Sequence, residues 1–146
     1  MSDIARVCSS DLVRARRTAE VIAESFGLLP VDVYSALRER DVGAWSGLTN
    51  DEVDLQFPGY RAAGRTPPGW EDDAALLGRV LPAIVAIGGA SSTNAVVVTH
   101  GGVLRALEDH LGAPRRDSAV ENLGGRWITV QAGTLSLGSS VHLLGG

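Results

Sequence analysis

Apolar positions in this chain fall into two rhythms, short unbroken runs and longer stretches at helical spacing. The run Ala95-Val96-Val97-Val98 is wholly apolar and mostly β-branched, the pattern of a strand buried on both faces in a parallel sheet. Thr99-His100-Gly101-Gly102 follows, and Val103, Leu104, Leu107 and Leu111 then recur at helical spacing until Gly112, a good left-handed cap, and Pro114 end the run. A strand, a glycine turn and a helix are predicted, with His100 at the strand's end. In open α/β sheets ligands bind outside the carboxyl ends of strands, and free amides at the next helix N-terminus attract anions. An isolated histidine in such a turn is otherwise a buried or capping residue, so its meaning depends on its neighbours.

The same grammar opens the chain. Ile4 to Cys8 reads as a short strand, Ser9-Ser10-Asp11 as turn and N-cap, and Leu12, Ala15, Ala19, Ile22, Ala23 and Phe26 as one helical face that Gly27 stops. Arg14 lies in the first turn of that helix, where the dipole disfavours a cation and a bound anion would reconcile it. Arg14, Arg16 and Arg17 cannot all point the same way, so at least two of the three belong to a solvated face. Pro30 to Tyr34 reads as a third strand, and 37–47 as a loop without clean period. Thr49 and Glu52 form a capping box for a brief helix that stops at Pro58. Residues 59–69, rich in Gly, Pro and Arg, read as a surface loop or lid. Glu71 to Ile87 reads as a helix with a kink expected at Pro82. Arg126–Val130 and Val141–Leu144 read as late, antiparallel strands joined around Gly133 and Gly138.

Composition narrows the class. A chain of 146 residues, 45% hydrophobic, is one domain's worth of core, so residues 1–146 are expected to form a single domain. The net charge of −4 is dispersed, which argues against a nucleic-acid surface. All 13 basic residues are arginine, a bias that a GC-rich coding sequence explains as well as anion recognition does. A single Cys8 excludes an intrachain disulfide framework, and no long apolar span marks a membrane segment. The expectation is a cytoplasmic protein.

Polar chemistry now stands at two strand ends and in one loop. A guanidinium grips a phosphoryl group through a planar fork of donors, a histidine acts as nucleophile or charge donor, and a carboxylic acid protonates a leaving alkoxide. Three blocks carry these groups: Ser9-Ser10-Asp11-Leu12-Val13-Arg14-Ala15-Arg16-Arg17-Thr18-Ala19, Leu37-Arg38-Glu39-Arg40-Asp41-Val42-Gly43-Ala44-Trp45-Ser46-Gly47-Leu48-Thr49, and Val98-Thr99-His100-Gly101-Gly102-Val103-Leu104-Arg105. In order and separation they resemble the histidine phosphatase superfamily, the phosphoglycerate mutase-like proteins, over Ile4 to about Val130. The resemblance implies a three-layer α/β/α fold with a mostly parallel sheet. It implies that Arg14 and His100, with Gly101 and Gly102, bind the phosphoryl group, that Glu39 is the proton donor, and that His100 stabilises the charged transition state. It implies a small phosphorylated metabolite as substrate and no cofactor or metal. His110 and His142 match no family motif.

One departure matters. Family members begin with a strand leading to Arg-His-Gly, whose histidine is transiently phosphorylated, and no Arg-His-Gly occurs in this sequence. Losing a nucleophile removes on the order of 10⁶ of rate in another hydrolase, so the chain as written is expected to be inactive or nearly so. The resemblance places that strand inside the sheet, between the strand ending at His100 and the late strands. Burying about five apolar side chains is worth on the order of 7 to 15 kcal/mol, comparable with a domain's net stability. The sequence is therefore expected to be an incomplete reading of a longer product that starts at an internal methionine. The competing expectations are a fragment of a phosphoglycerate mutase-like phosphomutase, and a pseudoenzyme or phosphate-binding module whose gap a strand from a partner chain fills. A nucleotide-binding α/β domain is disfavoured, because neither a Walker loop nor a Gly-x-Gly-x-x-Gly fingerprint follows a strand.

Overall fold

The computed structural model describes residues 3–90, 92–114 and 121–142. Five strands and four α-helices follow in the order β1 (Ile4–Ser9), α1 (Val13–Phe26), β2 (Asp32–Val33), α2 (Asn50–Gln56), α3 (Asp73–Gly89), β3 (Asn94–Val98), α4 (Gly101–His110), β4 (Gly124–Gln131) and β5 (Thr134–His142). β2, β1 and β3 form a parallel sheet in that spatial order, and β4 and β5 form a separate antiparallel hairpin.

Side-chain alternation builds the layers. Val7, Val96 and Val98 face α1, which approaches through Ala19 and Ala23. Cys8, Ala95 and Val97 face the other way, into a core shared with α3 and α4 through Leu76, Val80, Ile84, Val103 and Leu107. The buried stripe of α1 is Ala15, Ala19 and Ala23, four residues apart and all small, so its backbone lies close to the sheet. Gly27, at φ 67°, ends α1 in the left-handed conformation the sequence requires there. Thr49 and Glu52 close the capping box on α2. Asp72 accepts from Ala75 N–H to cap α3.

Several expectations need correction. Ala95 to Val98 are part-buried rather than fully buried, because β3 pairs only with β1 and its other edge carries no strand among the described residues. β2 keeps two residues of the five expected, and both are exposed. Asp11 does not cap α1; Leu12 occupies the N-cap without a side-chain bond. α3 spans Asp73–Gly89 rather than Glu71 to Ile87, with Pro82 inside it. The hairpin turns once, at Ala132 and Gly133, both at positive φ, so β5 begins at Thr134 and Gly138 lies inside it. The expected end of that strand at Leu144 lies outside the described residues.

The segment between Gly43 and Gly69 leaves the body and returns to the same point. Val42 bridges Trp70, Ala44 N–H donates to Pro68 O at 3.0 Å, and Glu71 N–H donates to Asp41 O at 2.9 Å. Gly43 is obligatory at this neck: its φ is 57°, and a Cβ there would lie 2.5 Å from the carbonyl carbon of Gly69. Inside, Trp45 packs edge-on against Phe57 and Trp70.

The hairpin is seated on α3 at a glycine. A Cβ on Gly88 would lie 2.6 Å from Val130 Cβ. Gly88→Ala is therefore expected to cost about 1–2 kcal/mol net, the overpacking outweighing the better helix propensity of alanine. A urea midpoint unchanged from the parent would show that the hairpin is not held there.

Candidate functional site

The site forms where the topology parts. The chain leaves β1 toward α1 on one face and leaves β3 toward α4 on the other, so a crevice opens between two adjacent strand ends. Ser9 and Ser10 end one side, both fully buried, and Ser10 N–H extends the ladder to Val98 O at 3.1 Å. His100 ends the other, extended in backbone and N-cap of α4, with 7% of its surface exposed. Ser10 Oγ and His100 Nε2 are hydrogen-bonded at 2.7 Å across the crevice.

The other predicted residues gather around this pair. Arg14, in the first turn of α1, is near enough to repel a proton from the imidazole, and its guanidinium is paired with no carboxylate among the described residues. Glu39 reaches the first turn of α4, where its carboxylate accepts from Gly102 N–H at 3.2 Å and from Arg40 N–H at 2.8 Å. A Cβ on Gly102 would meet that carboxylate, so a side chain there would displace Glu39 from the helix N-terminus. Gly102 N–H, expected to face an anion, is thus engaged by Glu39, while Gly101 is exposed. His110 is exposed, and His142 lies 3.6 Å from Glu121 on the hairpin.

Sequence reasoning missed three participants. Ser10 looked like turn chemistry, yet it carries the bond that orients His100. Asp11 binds Arg38 through two bonds of 2.7 Å at the mouth of the crevice. Arg79, from α3, donates into the loop bearing Glu39. The charged pattern Arg38-Glu39-Arg40-Asp41 opposite Glu71, Asp73 and Arg79 was the available signal for the last two. Beside Gly102 lies an open cavity of about 460 Å³ whose walls include Arg40, Trp70, Asp73 and Arg105.

Burial holds His100 below the ordinary histidine range, and Arg14 and Arg79 push it further down, while Glu39 and Asp11 oppose them. With no anion bound, these surroundings favour neutral imidazole at neutral pH. A bound dianion offsets the arginine charge and favours imidazolium, so binding takes up a proton. Sulfate, which stays a dianion throughout, is expected to bind more tightly as pH falls from about 8 to about 6, by up to about tenfold per unit. Titration calorimetry at several pH values reads this; an affinity that is flat, or that keeps its slope in His100→Asn, contradicts the assignment.

Fold and crevice together define a parallel α/β domain with a histidine-centred, arginine-flanked pocket at a topological switch point. The chain belongs to the histidine phosphatase superfamily (branch 1), whose sequence profile matches residues 1–132. It is 38% identical over 114 residues to glucosyl-3-phosphoglycerate phosphatase of Mycolicibacterium vanbaalenii, a match covering 69% of this chain and 50% of that one. It is 41% identical over 112 residues to phosphoglycerate mutase-like protein 4 of Arabidopsis thaliana, covering 71% and 49%. The chain thus spans about half the length of these curated relatives. Among solved structures it resembles mycobacterial glucosyl-3-phosphoglycerate phosphatase in complex with inorganic phosphate, with a TM-score of 0.76 at 29% identity over 93% of this chain and 76% of that one. Bacillus stearothermophilus YhfR matches with a TM-score of 0.77 at 25% identity, over 93% and 73%.

Proposed function

We propose that this domain serves phosphomonoester hydrolysis by the phosphohistidine route, contributing Arg14, His100 and Glu39. The observation that carries the proposal is the crevice itself: a buried histidine following β3 and fixed by Ser10, beside an arginine in the first turn of α1 that has no carboxylate partner among the described residues. Arg14 and His100 hold the phosphoryl oxygens. A histidine nucleophile forms a bond to phosphorus as the ester oxygen leaves, Glu39 in its acid form gives that oxygen a proton, and water then releases phosphate from the histidine. The cavity beside Gly102 and Glu39 takes the alcohol part of a small phosphorylated metabolite. Among such substrates, the relatives favour phosphate esters of glycerate and its glycosides.

The nucleophile is the group this sequence does not contain. We therefore expect the 146-residue chain to bind phosphate without appreciable turnover, and its function to depend on a strand placed along the edge of β3 that pairs with no strand among the described residues. A longer form of the chain, a partner or a second copy could supply that strand. The buried, unpaired Cys8 suits a cytoplasmic setting. The deciding experiment measures binding of inorganic phosphate by calorimetry alongside release of phosphate from p-nitrophenyl phosphate. Binding without release supports the proposal, release at a rate typical of enzymes shows that another nucleophile acts, and no binding removes the pocket.

A further inference from the structure

We propose that Arg79, held by Glu71, is the positioning residue for Glu39; the inference rests on the reading of Glu39 as proton donor. From Arg38 to Asp41 the chain lies in no helix or strand. The carbonyls from Ala36 to Glu39 are fixed from outside instead. Arg79 Nη1 donates to Ala36 O at 2.7 Å and to Arg38 O at 2.8 Å, and Nη2 donates to Glu39 O at 3.1 Å. Leu37 O, the remaining carbonyl of this run, accepts from Thr99 Oγ1 at 2.8 Å, beside His100. Four consecutive carbonyls are thus taken by two side chains, one from α3 and one from the end of β3.

The guanidinium is fully used. Its two remaining donors go to Glu71, Nε to Oε2 at 2.8 Å and Nη2 to Oε1 at 2.7 Å, so five N–H groups meet five acceptors. Glu71 in turn accepts from Asp41 N–H at 3.3 Å and is held well ionised, Arg79 being the first cause. A lysine would keep the charge but has three donors around a point, and cannot span three carbonyls and a carboxylate. The fork's geometry, rather than its charge, explains an arginine here. It turns the Glu39 side chain toward α4, where Gly102 N–H receives it. A misplacement of about 1 Å in such a group costs about 10² in rate.

Gly102 N–H reports the position of Glu39 without any need for turnover. In Arg79→Lys the Gly102 amide is expected to exchange hydrogen at least about tenfold faster, approaching its rate in Glu39→Ala, with Glu71→Gln between them. Amides of β1 and β3 should stay within about twofold. Gly102 exchange unchanged in a folded Arg79→Lys overturns the proposal, and so does an equal acceleration of every amide, which marks a merely structural role. Failure of the parent to bind phosphate is a different result: it removes the phosphoryl pocket, and with it any use for the positioned carboxyl, while the Gly102 measurement stands apart.

Discussion

Adding an apolar strand that ends in Arg-His-Gly ahead of residue 1 is expected to raise phosphate release from p-nitrophenyl phosphate by about 10⁴-fold or more over the 146-residue chain. Two open edges motivate the expectation. Among the described residues β3 pairs on one side only and the hairpin pairs with neither β1 nor β3, while α3 packs against both β3 and β4. A strand set between β3 and β4 would gain backbone partners on both flanks, and its end would lie beside His100. The same addition should raise the urea midpoint sharply, since burying about five apolar side chains contributes on the order of 7–15 kcal/mol before ordering costs are subtracted. An Arg-Ala-Gly version separates the two effects: it should be stabilised and remain inert. Equal turnover by both versions would sink the phosphohistidine reading, and no gain in stability would show that the edge of β3 is not the strand's place.

Arg14→Ala is expected to weaken binding of inorganic phosphate or vanadate by about 100-fold, or about 3 kcal/mol, the loss of a charge-assisted contact without a compensating partner. No competing ion pair would soften the effect, because among the described residues no carboxylate is paired with Arg14. Arg14→Lys should recover part of the affinity but not the bidentate geometry. Arg16 supplies the control: it lies 3.5 Å from Glu20 on the exposed side of α1, and its removal should change phosphate affinity less than twofold. Equal losses at Arg14 and Arg16 would mean that only net charge attracts the anion.

The strands, helices and pocket differ in how far the sequence announces them, for local reasons. α1, α2 and α4 carry their own punctuation in Gly27, the Thr49–Glu52 box and Gly112, so their limits were readable. β2 was overestimated because Pro30-Val-Asp-Val-Tyr has strand-like residues but only Cys8 and Ser9 to pair with. The turn at Gly133 is legible, but its tightness is not, because Gln131-Ala-Gly-Thr134 lacks the Asn or Asp that usually marks two positive φ values in a row, and Gly138 reads as part of the connection. His100, Arg14 and Glu39 were found through motif resemblance, and the structure places them around one crevice. The roles of Ser10 and Arg79 were not legible, because each depends on a partner far along the chain, 90 residues away for Ser10 and 40 for the Glu39 carbonyl.

The neck at Val42 and Trp70 has a consequence for how such domains diversify. A loop whose ends are already tied together can change length at little cost, about 0.6 kcal/mol per doubling, without pulling on what lies outside the tie. Glu39 and Arg79 lie outside it, and the wall of the open cavity at Trp70 lies on it. Changes in the length of the segment from Gly43 to Gly69 are therefore expected to reshape one wall of that cavity while Glu39 keeps its address.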